Sequence, residues 1–105
     1  MSDPFLDLTN IDRLIHEPAR LAVLSVLALC RYADFTYLQA ATGLSSGNLS
    51  LHLGKLEEAG LITIEKKFVG KRPQTTARLT KEGKTALRAH FRLIEDTRKA
   101  AFKEE

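Results

Sequence analysis

Cysteine is almost absent from this sequence, and long apolar segments are missing. The only cysteine among 105 residues is Cys30, so no disulfide can form within one chain, as is usual in a reducing compartment. We interpret Cys30 as a small buried apolar residue, and a redox or inter-subunit role is the alternative. The most apolar run, residues 21–30, has about ten residues, whereas a transmembrane helix needs about twenty.

Signals for export and for catalysis are also missing. The N-terminal segment MSDPFLDLTN is acidic and has no apolar core of the secretory type, so we predict a cytoplasmic protein. There is no glycine-rich phosphate loop, HExxH helix, nucleophile elbow or paired-cysteine motif. We therefore predict neither an enzyme nor a cofactor. His16, His52 and His90 share no ligand spacing, so no metal site is predicted, and a His16–His90 site across a dimer is the alternative.

Basic residues are concentrated in the middle of the chain. The net charge is only +3, but residues 43–81 carry seven basic and three acidic residues. Residues 1–42 carry three arginines and five acidic residues, and residues 82–105 are nearly balanced, with six basic and five acidic residues. A local excess of positive charge is expected where a surface meets a polyanion, and a solvated surface with a chance imbalance is the alternative.

The first half of the chain predicts helices separated by short connections. The first helix covers residues 11–31, and an interruption before Pro18 is the alternative. Pro18 suits the first turn of a helix. It is apolar on two sides and therefore needs two partners, of which one is the domain core and the other a second subunit. A very short strand at residues 34–36 and a helix at residues 36–42 follow.

A glycine and a serine then separate two helices. Gly43 lies where a helix C-terminal glycine is expected, and Ser45 is a natural N-cap. The third helix runs from Ser45 to Ala59 and stops at Gly60. The sequence therefore predicts two helices joined by a tight turn.

The second half of the chain changes from helical to strand periodicity. The segment LITIEKKFV alternates in polarity, with Ile62, Ile64 and Phe68 on or near one side. The segment GKRPQ is a turn, and TTARLT forms the second strand of a hairpin. Thr80 caps a last helix that covers residues 81–102, about 30 Å long.

The order of these elements predicts a winged helix-turn-helix within a single domain, residues 1–105. The fold class is mainly α with a small β-hairpin, with the helix-turn-helix at residues 36–59 and the wing at residues 61–80. The long terminal helices, residues 11–31 and 81–102, are predicted to form a dimer interface. The residues predicted to face the second subunit are Leu14, Val23, Val26, Leu27, Phe91, Ile94 and Phe102.

The third helix has two distinct faces. At about 100° per residue, Leu53 and Leu56 lie within about 40° of Leu49, whereas Leu51 falls at about 200°. The face opposite the leucine stripe also holds Gly47 and Gly54, and each costs a helix interior roughly 1 kcal/mol against alanine. Such a face suits a helix laid in the DNA major groove, and a neutral surface helix with tolerated glycines is the alternative.

The outer face offers groups that can read DNA. Asn48 can form paired hydrogen bonds with adenine, and Leu51 can contact a thymine methyl. Ser45 and Ser46, at the helix start, can hold a phosphate, and Lys55 can reach the backbone farther along. The DNA contacts predicted on this helix are Ser45, Ser46, Gly47, Asn48, Ser50, Leu51, His52 and Lys55.

The hairpin carries the second group of predicted DNA contacts. Its basic tip is placed to straddle a phosphate backbone or to enter the minor groove. Lysines also protect exposed strands from edge pairing, and this is the alternative for the tip. The predicted contacts on the hairpin are Lys66, Lys67, Lys71, Arg72, Gln74 and Arg78.

The segments HEPARLAVLSVL, SSGNLSLHLGKLEEAGLI and GKRPQTTARLTKEGK resemble the bacterial and archaeal winged-helix transcriptional regulators related to the MarR and ArsR families. The likeness is greatest to their short stand-alone members and covers residues 11–95. The resemblance implies a homodimer that binds a pseudo-palindromic operator in double-stranded DNA. By position, it assigns Lys71 and Arg72 to the wing tip and the following residues to the recognition helix: Ser46, Gly47, Asn48, Ser50, Leu51, His52 and Lys55.

The chain departs from the family pattern at two points. It lacks the cysteine pair that ArsR-type metal sensors often carry near the recognition helix, and it is shorter than the MarR proteins whose long terminal helices make a ligand pocket. A small-molecule effector is therefore left open and unidentified. The alternative function is a winged-helix module for protein–protein or RNA interaction without operator binding.

Overall fold

A computed structural model describes residues 3–103, which form five helices and a three-stranded antiparallel sheet. In chain order the elements are α1 Pro4–Thr9, α2 Pro18–Leu29, β1 Ala33–Asp34, α3 Phe35–Thr42, α4 Ser46–Glu58, β2 Ile62–Val69, β3 Arg72–Leu79 and α5 Lys81–Ala101. This order confirms the predicted winged helix-turn-helix, mainly α with a small sheet. No helix within residues 3–103 combines the length and the apolar composition that a membrane span requires.

The N-terminal part differs from the prediction of one helix over residues 11–31. The helix begins only at Pro18, because the Glu17 carboxylate accepts hydrogen bonds from the backbone N–H groups of Ala19 and Arg20, at 3.1 and 2.9 Å. The preceding residues, 11–17, form turns. Helix α1 was not predicted; the Asp3 carboxylate caps its first turn.

The helix-turn-helix follows the prediction closely. The first of its helices, α3, is capped by the Asp34 carboxylate and ends at Gly43, whose φ of 74° lies in the left-handed region. The Ser45 hydroxyl then accepts a hydrogen bond from the backbone N–H of Asn48 at 3.2 Å, as the capping prediction required. The short strand lies at Ala33–Asp34 rather than at residues 34–36.

The sheet has the order β1-β3-β2, with β3 in the centre. Strands β2 and β3 form the predicted hairpin, in which Ile62 pairs with Leu79 and Val69 pairs with Arg72 at the tip. Gly70 lies in the two-residue connection, with a φ of 66° that favours glycine. The base of the hairpin therefore lies in the body of the domain, and the tip extends beyond it.

The core is formed by the inward faces of α2, α3, α4 and the base of the hairpin. Its fully buried residues include Leu24, Leu38, Leu49, Leu56 and Ile62. Val23 and Leu27 of α2 belong to the same core, with exposed fractions of 0% and 2%. The prediction that these two residues face a second subunit is therefore wrong, because each is already covered by its own chain.

The last helix starts at a tightly bonded joint. The Thr80 hydroxyl accepts a hydrogen bond from the backbone N–H of Gly83 at 2.9 Å and donates one to the carbonyl of Gly60 at 2.7 Å. The backbone N–H of Thr80 also donates to the carbonyl of Leu61 at 3.0 Å. Helix α5 has 21 residues, and the Cα trace is elongated, with extents of 59 × 23 × 22 Å.

Candidate nucleic-acid interface

Helix α4 presents one face to the core and the other to solvent, as the angular pattern predicts. Leu49, Leu53 and Leu56 are buried, whereas the Leu51 side chain is 55% exposed. The core interactions that hold the helix in place are therefore made by three leucines, and Leu51 takes no part in them. An exposed apolar side chain among polar groups is available to an external partner.

Two glycines lie on this outer face without a packing requirement. A Cβ atom built on Gly47 or Gly54 would meet no heavy atom within 4 Å, and neither residue has a positive φ. The fold would therefore accept alanine at both positions, although glycine costs a helix interior roughly 1 kcal/mol. The space that these glycines leave lies outside the chain, where a partner can approach the helix backbone closely.

The polar residues predicted to contact DNA on α4 are mostly exposed. Ser46 is the first residue of the helix, so the free backbone N–H groups of its first turn point to solvent and suit an anion. Asn48 and Ser50 follow on the same part of the helix, and Lys55 lies in its last turn. All of these side chains are accessible on the single chain: Ser45, Ser46, Asn48, Ser50 and Lys55.

His52 does not belong to this exposed group. Its Nδ1 lies 3.1 Å from an Arg20 guanidinium nitrogen and 3.8 Å from a Glu17 carboxylate oxygen, and its side chain is 15% exposed. Because guanidinium only donates, this short contact uses the unprotonated Nδ1. The His52 ring joins α4 to the start of α2 in the single chain, and its contact with DNA stays a prediction.

Arg20 is the centre of this connection. Its Nε donates to the carbonyl of Leu14 at 2.6 Å, while Nη1 lies 3.1 Å from His52 Nδ1 and 3.7 Å from a Glu17 carboxylate oxygen. Burial opposes ionisation of Glu17, but the backbone N–H groups of Arg20 and Ala19 outweigh it and hold the pKa of Glu17 below its ordinary value. The cluster fixes the recognition helix against the turn that precedes α2. Sequence spacing gave no sign of this contact.

The hairpin lies beside the outer face of α4. A surface groove between them is lined on one side by Ser50 and Gly54 of α4 and on the other by Lys66 and Thr75 of the hairpin. Glu57 also lines this groove. The groove therefore brings Ser50 of the predicted helix contacts and Lys66 of the predicted wing contacts onto one surface, which also holds this acidic residue.

The basic residues of the hairpin are distributed over both of its faces. Lys66 lies on the face that continues from Ile64, whereas Lys67 pairs with Gln74 across the strands. Arg78 lies nearer the base, where its Nε donates to the Thr63 hydroxyl at 3.3 Å. The exposed cations of the hairpin are Lys66, Lys67, Lys71, Arg72 and Arg78, and Gln74 is partly buried.

Two apolar residues near the tip were not among the predicted contacts. Phe68 is 73% exposed and Val69 is 57% exposed. Phe68 continues the line of Ile62 and Ile64 on one face of the hairpin. The alternating pattern could not reveal that the hairpin extends past the body of the domain, so that its last apolar residues have nothing to pack against.

His16 and His90 meet within one chain, so the cross-dimer arrangement considered above is not needed to bring them together. His16 Nδ1 and His90 Nε2 are 3.3 Å apart, and His90 is only 4% exposed. Burial lowers the pKa of His90, the nearby His16 lowers it further, and Asp12 acts in the opposite direction. Among residues 3–103, no group of three or more His, Cys, Asp or Glu side chains is arranged to hold a metal ion.

The N-terminal segment and α5 also carry exposed apolar side chains. Phe91 and Phe102 of α5 are 46% and 56% exposed, and Phe5 and Leu6 of α1 are exposed as well. Ile94 is partly buried, and Leu14 and Val26 pack at the margin of the core. The dimer role of these α5 residues, and of Leu14 and Val26, stays a prediction.

Comparison with known proteins identifies the domain. The family model for a winged-helix DNA-binding domain matches residues 19–97. An uncharacterized protein from Methanocaldococcus jannaschii is 32% identical over 79 residues, which cover 75% of this chain and 86% of that protein.

Two solved structures share the fold over nearly their whole length. The transcriptional regulator homologue from Pyrococcus horikoshii OT3 is 26% identical, with a TM-score of 0.84, and the match covers 90% of this chain and 96% of the other. A protein assigned to the MarR family of transcriptional regulators, from Enterococcus faecalis V583, is 22% identical with a TM-score of 0.76 and covers 99% and 94% of the two chains. This chain therefore belongs to the winged-helix DNA-binding domain family and has the fold of the MarR-type regulators.

Proposed function

We propose that the protein is a cytoplasmic, sequence-specific transcriptional regulator that binds a pseudo-palindromic operator as a homodimer. The observation that carries this proposal is the outer face of α4, where exposed polar groups and Leu51 surround two glycines whose missing Cβ atoms leave open space. Packing of the core does not require these residues, whereas a helix in the major groove needs side chains that contact base edges and space to approach them.

Each part of the face has a role in the proposed complex. The first turn of α4, with Ser45 and Ser46, binds a phosphate through free backbone N–H groups and hydroxyls. Asn48, Ser50 and Leu51 contact base edges, because the N-terminal half of a recognition helix enters the groove most deeply. Gly47 and Gly54 allow the helix to approach the duplex, and Lys55 contacts the backbone.

The wing extends the contact beyond the major groove. Lys66 lies across the groove from Ser50 and Gly54, so a duplex bound on α4 would bring a phosphate backbone close to it. Lys71 and Arg72, at the tip, reach the next backbone or the minor groove. The wing therefore adds affinity that depends strongly on salt concentration.

A second copy of the chain completes the operator complex. Phe91, Ile94 and Phe102 on α5 are the residues that we expect to meet the partner, because an elongated helix with exposed aromatic side chains needs cover. A two-fold dimer would place two recognition helices on half-sites about one helical turn apart.

Selection of bound duplexes from a random pool tests the proposal. We expect an enriched sequence with two inverted half-sites, and binding to it that weakens linearly with the logarithm of salt concentration. Leu51→Ala should leave the free energy of unfolding within about 0.5 kcal/mol and reduce affinity for the selected duplex. An unenriched pool, or binding that ignores salt, would contradict operator recognition.

A further inference from the structure

The tip of the hairpin combines exposed apolar side chains with basic side chains that lie before and after them along the chain. Phe68 and Val69 are adjacent and exposed, and neither belongs to the core cluster or to the residues packed against it. Lys66 and Lys67 precede them on β2, Lys71 lies in the turn, and Arg72 begins β3. A tip that served only to attract phosphate would need the cations and would gain nothing from Phe68.

The register places the two apolar side chains on opposite faces of the hairpin. Phe68 pairs with Pro73, and Val69 pairs with Arg72, so adjacent pairs point to opposite sides of the sheet. Phe68 and Pro73 share the face of Ile64 and Lys66, which is the face that lines the groove beside α4. A duplex held against α4 would therefore meet Phe68 before it meets Val69.

We propose that this tip enters the minor groove beside the major-groove site of α4, and that Phe68 wedges against a base step there and bends the duplex. The inference rests on the proposed function, because it needs a duplex bound on α4. The four cations neutralise the two phosphate chains that border the groove, and Phe68 covers the apolar sugar and base surfaces between them. Apolar side chains inserted at base steps unstack them and bend the duplex toward the major groove.

The dimensions of the groove favour a wedge over a simple fit. The minor groove of straight duplex DNA is about 6 Å wide, and side chains on both faces of a hairpin add to the thickness that must fit between its walls. A hairpin tip that carries Phe68 on one face and Val69 and Arg72 on the other needs a wider groove. Unstacking at one step provides that width, and flexible pyrimidine–purine steps permit it at the lowest cost.

Bending of the selected duplex gives the direct test. The duplex obtained from the random pool would carry a fluorophore at each end, and its end-to-end distance would be measured by energy transfer with and without saturating protein. We expect the wild-type protein to shorten this distance and Phe68→Leu to shorten it as well. Phe68→Ala should bind roughly tenfold more weakly and leave the duplex straight at saturation, because an aromatic contact with a base is lost.

Lys71→Ala is the matched control at the same tip. It should lower affinity and reduce the slope of log affinity against log salt by roughly one, while the bend at saturation stays unchanged. Phe68→Ala should leave the salt slope unchanged and remove the bend. Because Phe68 and Lys71 are both exposed, neither substitution should shift the denaturant midpoint of unfolding.

The outcomes separate this inference from operator binding itself. A pool that yields no enriched sequence would overturn the proposed function and the wedge together. An enriched sequence that Phe68→Ala binds and bends as the wild type does would overturn only the wedge. Binding to vesicles of phosphatidylserine and phosphatidylcholine that depends on Phe68, with no DNA bend, would assign the tip to an anionic membrane instead and overturn the inference.

Discussion

Gly54 and Gly83 are both glycines within helices, yet their surroundings give them opposite roles. A Cβ atom on Gly54 would meet nothing within 4 Å, whereas a Cβ atom on Gly83 would collide with the carbonyl oxygen of Leu61. Gly83 is therefore required by packing inside the chain. Gly54 has no such requirement, and its conformation is ordinary helix.

Replacing Gly54 by alanine should stabilise the protein and weaken its binding to DNA. Alanine is better than glycine in a helix interior by roughly 1 kcal/mol, so the free energy of unfolding should rise by about that amount. The added methyl group would occupy space that we assign to the duplex, so affinity for the selected operator should fall. Urea unfolding and fluorescence anisotropy would measure the two effects. An unchanged affinity would contradict close approach of the duplex at Gly54.

Replacing Gly83 by alanine should act in the other direction. The new methyl group would collide with the backbone carbonyl of Leu61, which already accepts a hydrogen bond from Thr80, so the helix or the hairpin base must shift. Overpacking of this kind costs roughly 1–3 kcal/mol. Urea unfolding would measure the loss in the free energy of unfolding. A variant as stable as the wild type would show that the backbone around Gly83 accommodates the methyl group at little cost.

At the scale of elements, α5 packs against the N-terminal turns through a buried histidine. The pKa of His90 is lowered by burial and by His16, so the folded chain binds a proton at His90 less readily than the unfolded chain does. The unfolded state therefore binds more protons below its pKa of about 6.5. His90 contributes stability above that pH, and this contribution is lost progressively as the pH falls toward the lower pKa of the folded state.

The free energy of unfolding should consequently decrease between pH 7.5 and pH 5.5. His90→Gln cannot take up the proton, so its stability should depend less steeply on pH across the same interval. Urea titrations of both proteins at several pH values would provide the comparison, because His16, His52, Asp7 and Asp12 are present in both. Equal pH slopes for the two proteins would show that His90 does not contribute to the dependence.

The elements that could be predicted from sequence are those with a local cause. Ser45 and Thr80 cap α4 and α5, and Gly43 ends α3, because each acts through backbone groups within a few residues. The helix predicted from residue 11 was too long, because Ile15 is buried in a turn and gave an apolar signal without a helix. Apolar spacing reports burial, and burial does not require helical structure.

Helical periodicity predicted which residues of the candidate site are exposed to solvent. Leu51 is exposed because it lies opposite the leucine stripe of α4, and the angular pattern alone placed it there. The surroundings of His52 could not be predicted, because its contacts come from Arg20 and Glu17, which are distant in sequence. Phe68 was missed because alternation identifies a face of a strand and not the point at which the strand leaves the domain.

At the scale of the whole molecule, the long α5 is the element through which we expect two copies to combine. Phe91 and Phe102 project from it, on either side of a Glu95–Arg98 ion pair with an N–O distance of 2.8 Å. This exposed pair contributes little to stability in water. The aromatic side chains are therefore the groups whose burial would drive association.

Phe91→Asp should convert a dimer into monomers and weaken operator binding by about 10²–10⁴-fold, because the second half-site would no longer be bound as part of the same particle. Thr85→Asp is the matched control, since it introduces the same charge at an exposed position of the same helix. Light scattering after gel filtration would give the masses, and anisotropy would give the affinities. A wild-type protein that is monomeric at the concentrations of operator binding would contradict the dimer.

The joint at Thr80 restricts the half-site spacing that the proposed dimer could bind. One carbonyl, that of Leu61, accepts the Thr80 N–H and lies directly under Gly83, while the Thr80 hydroxyl binds the carbonyl of Gly60. The end of α4, the base of the hairpin and the start of α5 are thereby locked together without a flexible linker. In a dimer held by α5, the two recognition helices would keep a fixed separation and a fixed relative orientation. One base pair inserted between the half-sites rotates one half-site by about 35° relative to the other. A dimer without a hinge could not follow that rotation and would lose contact with one half-site.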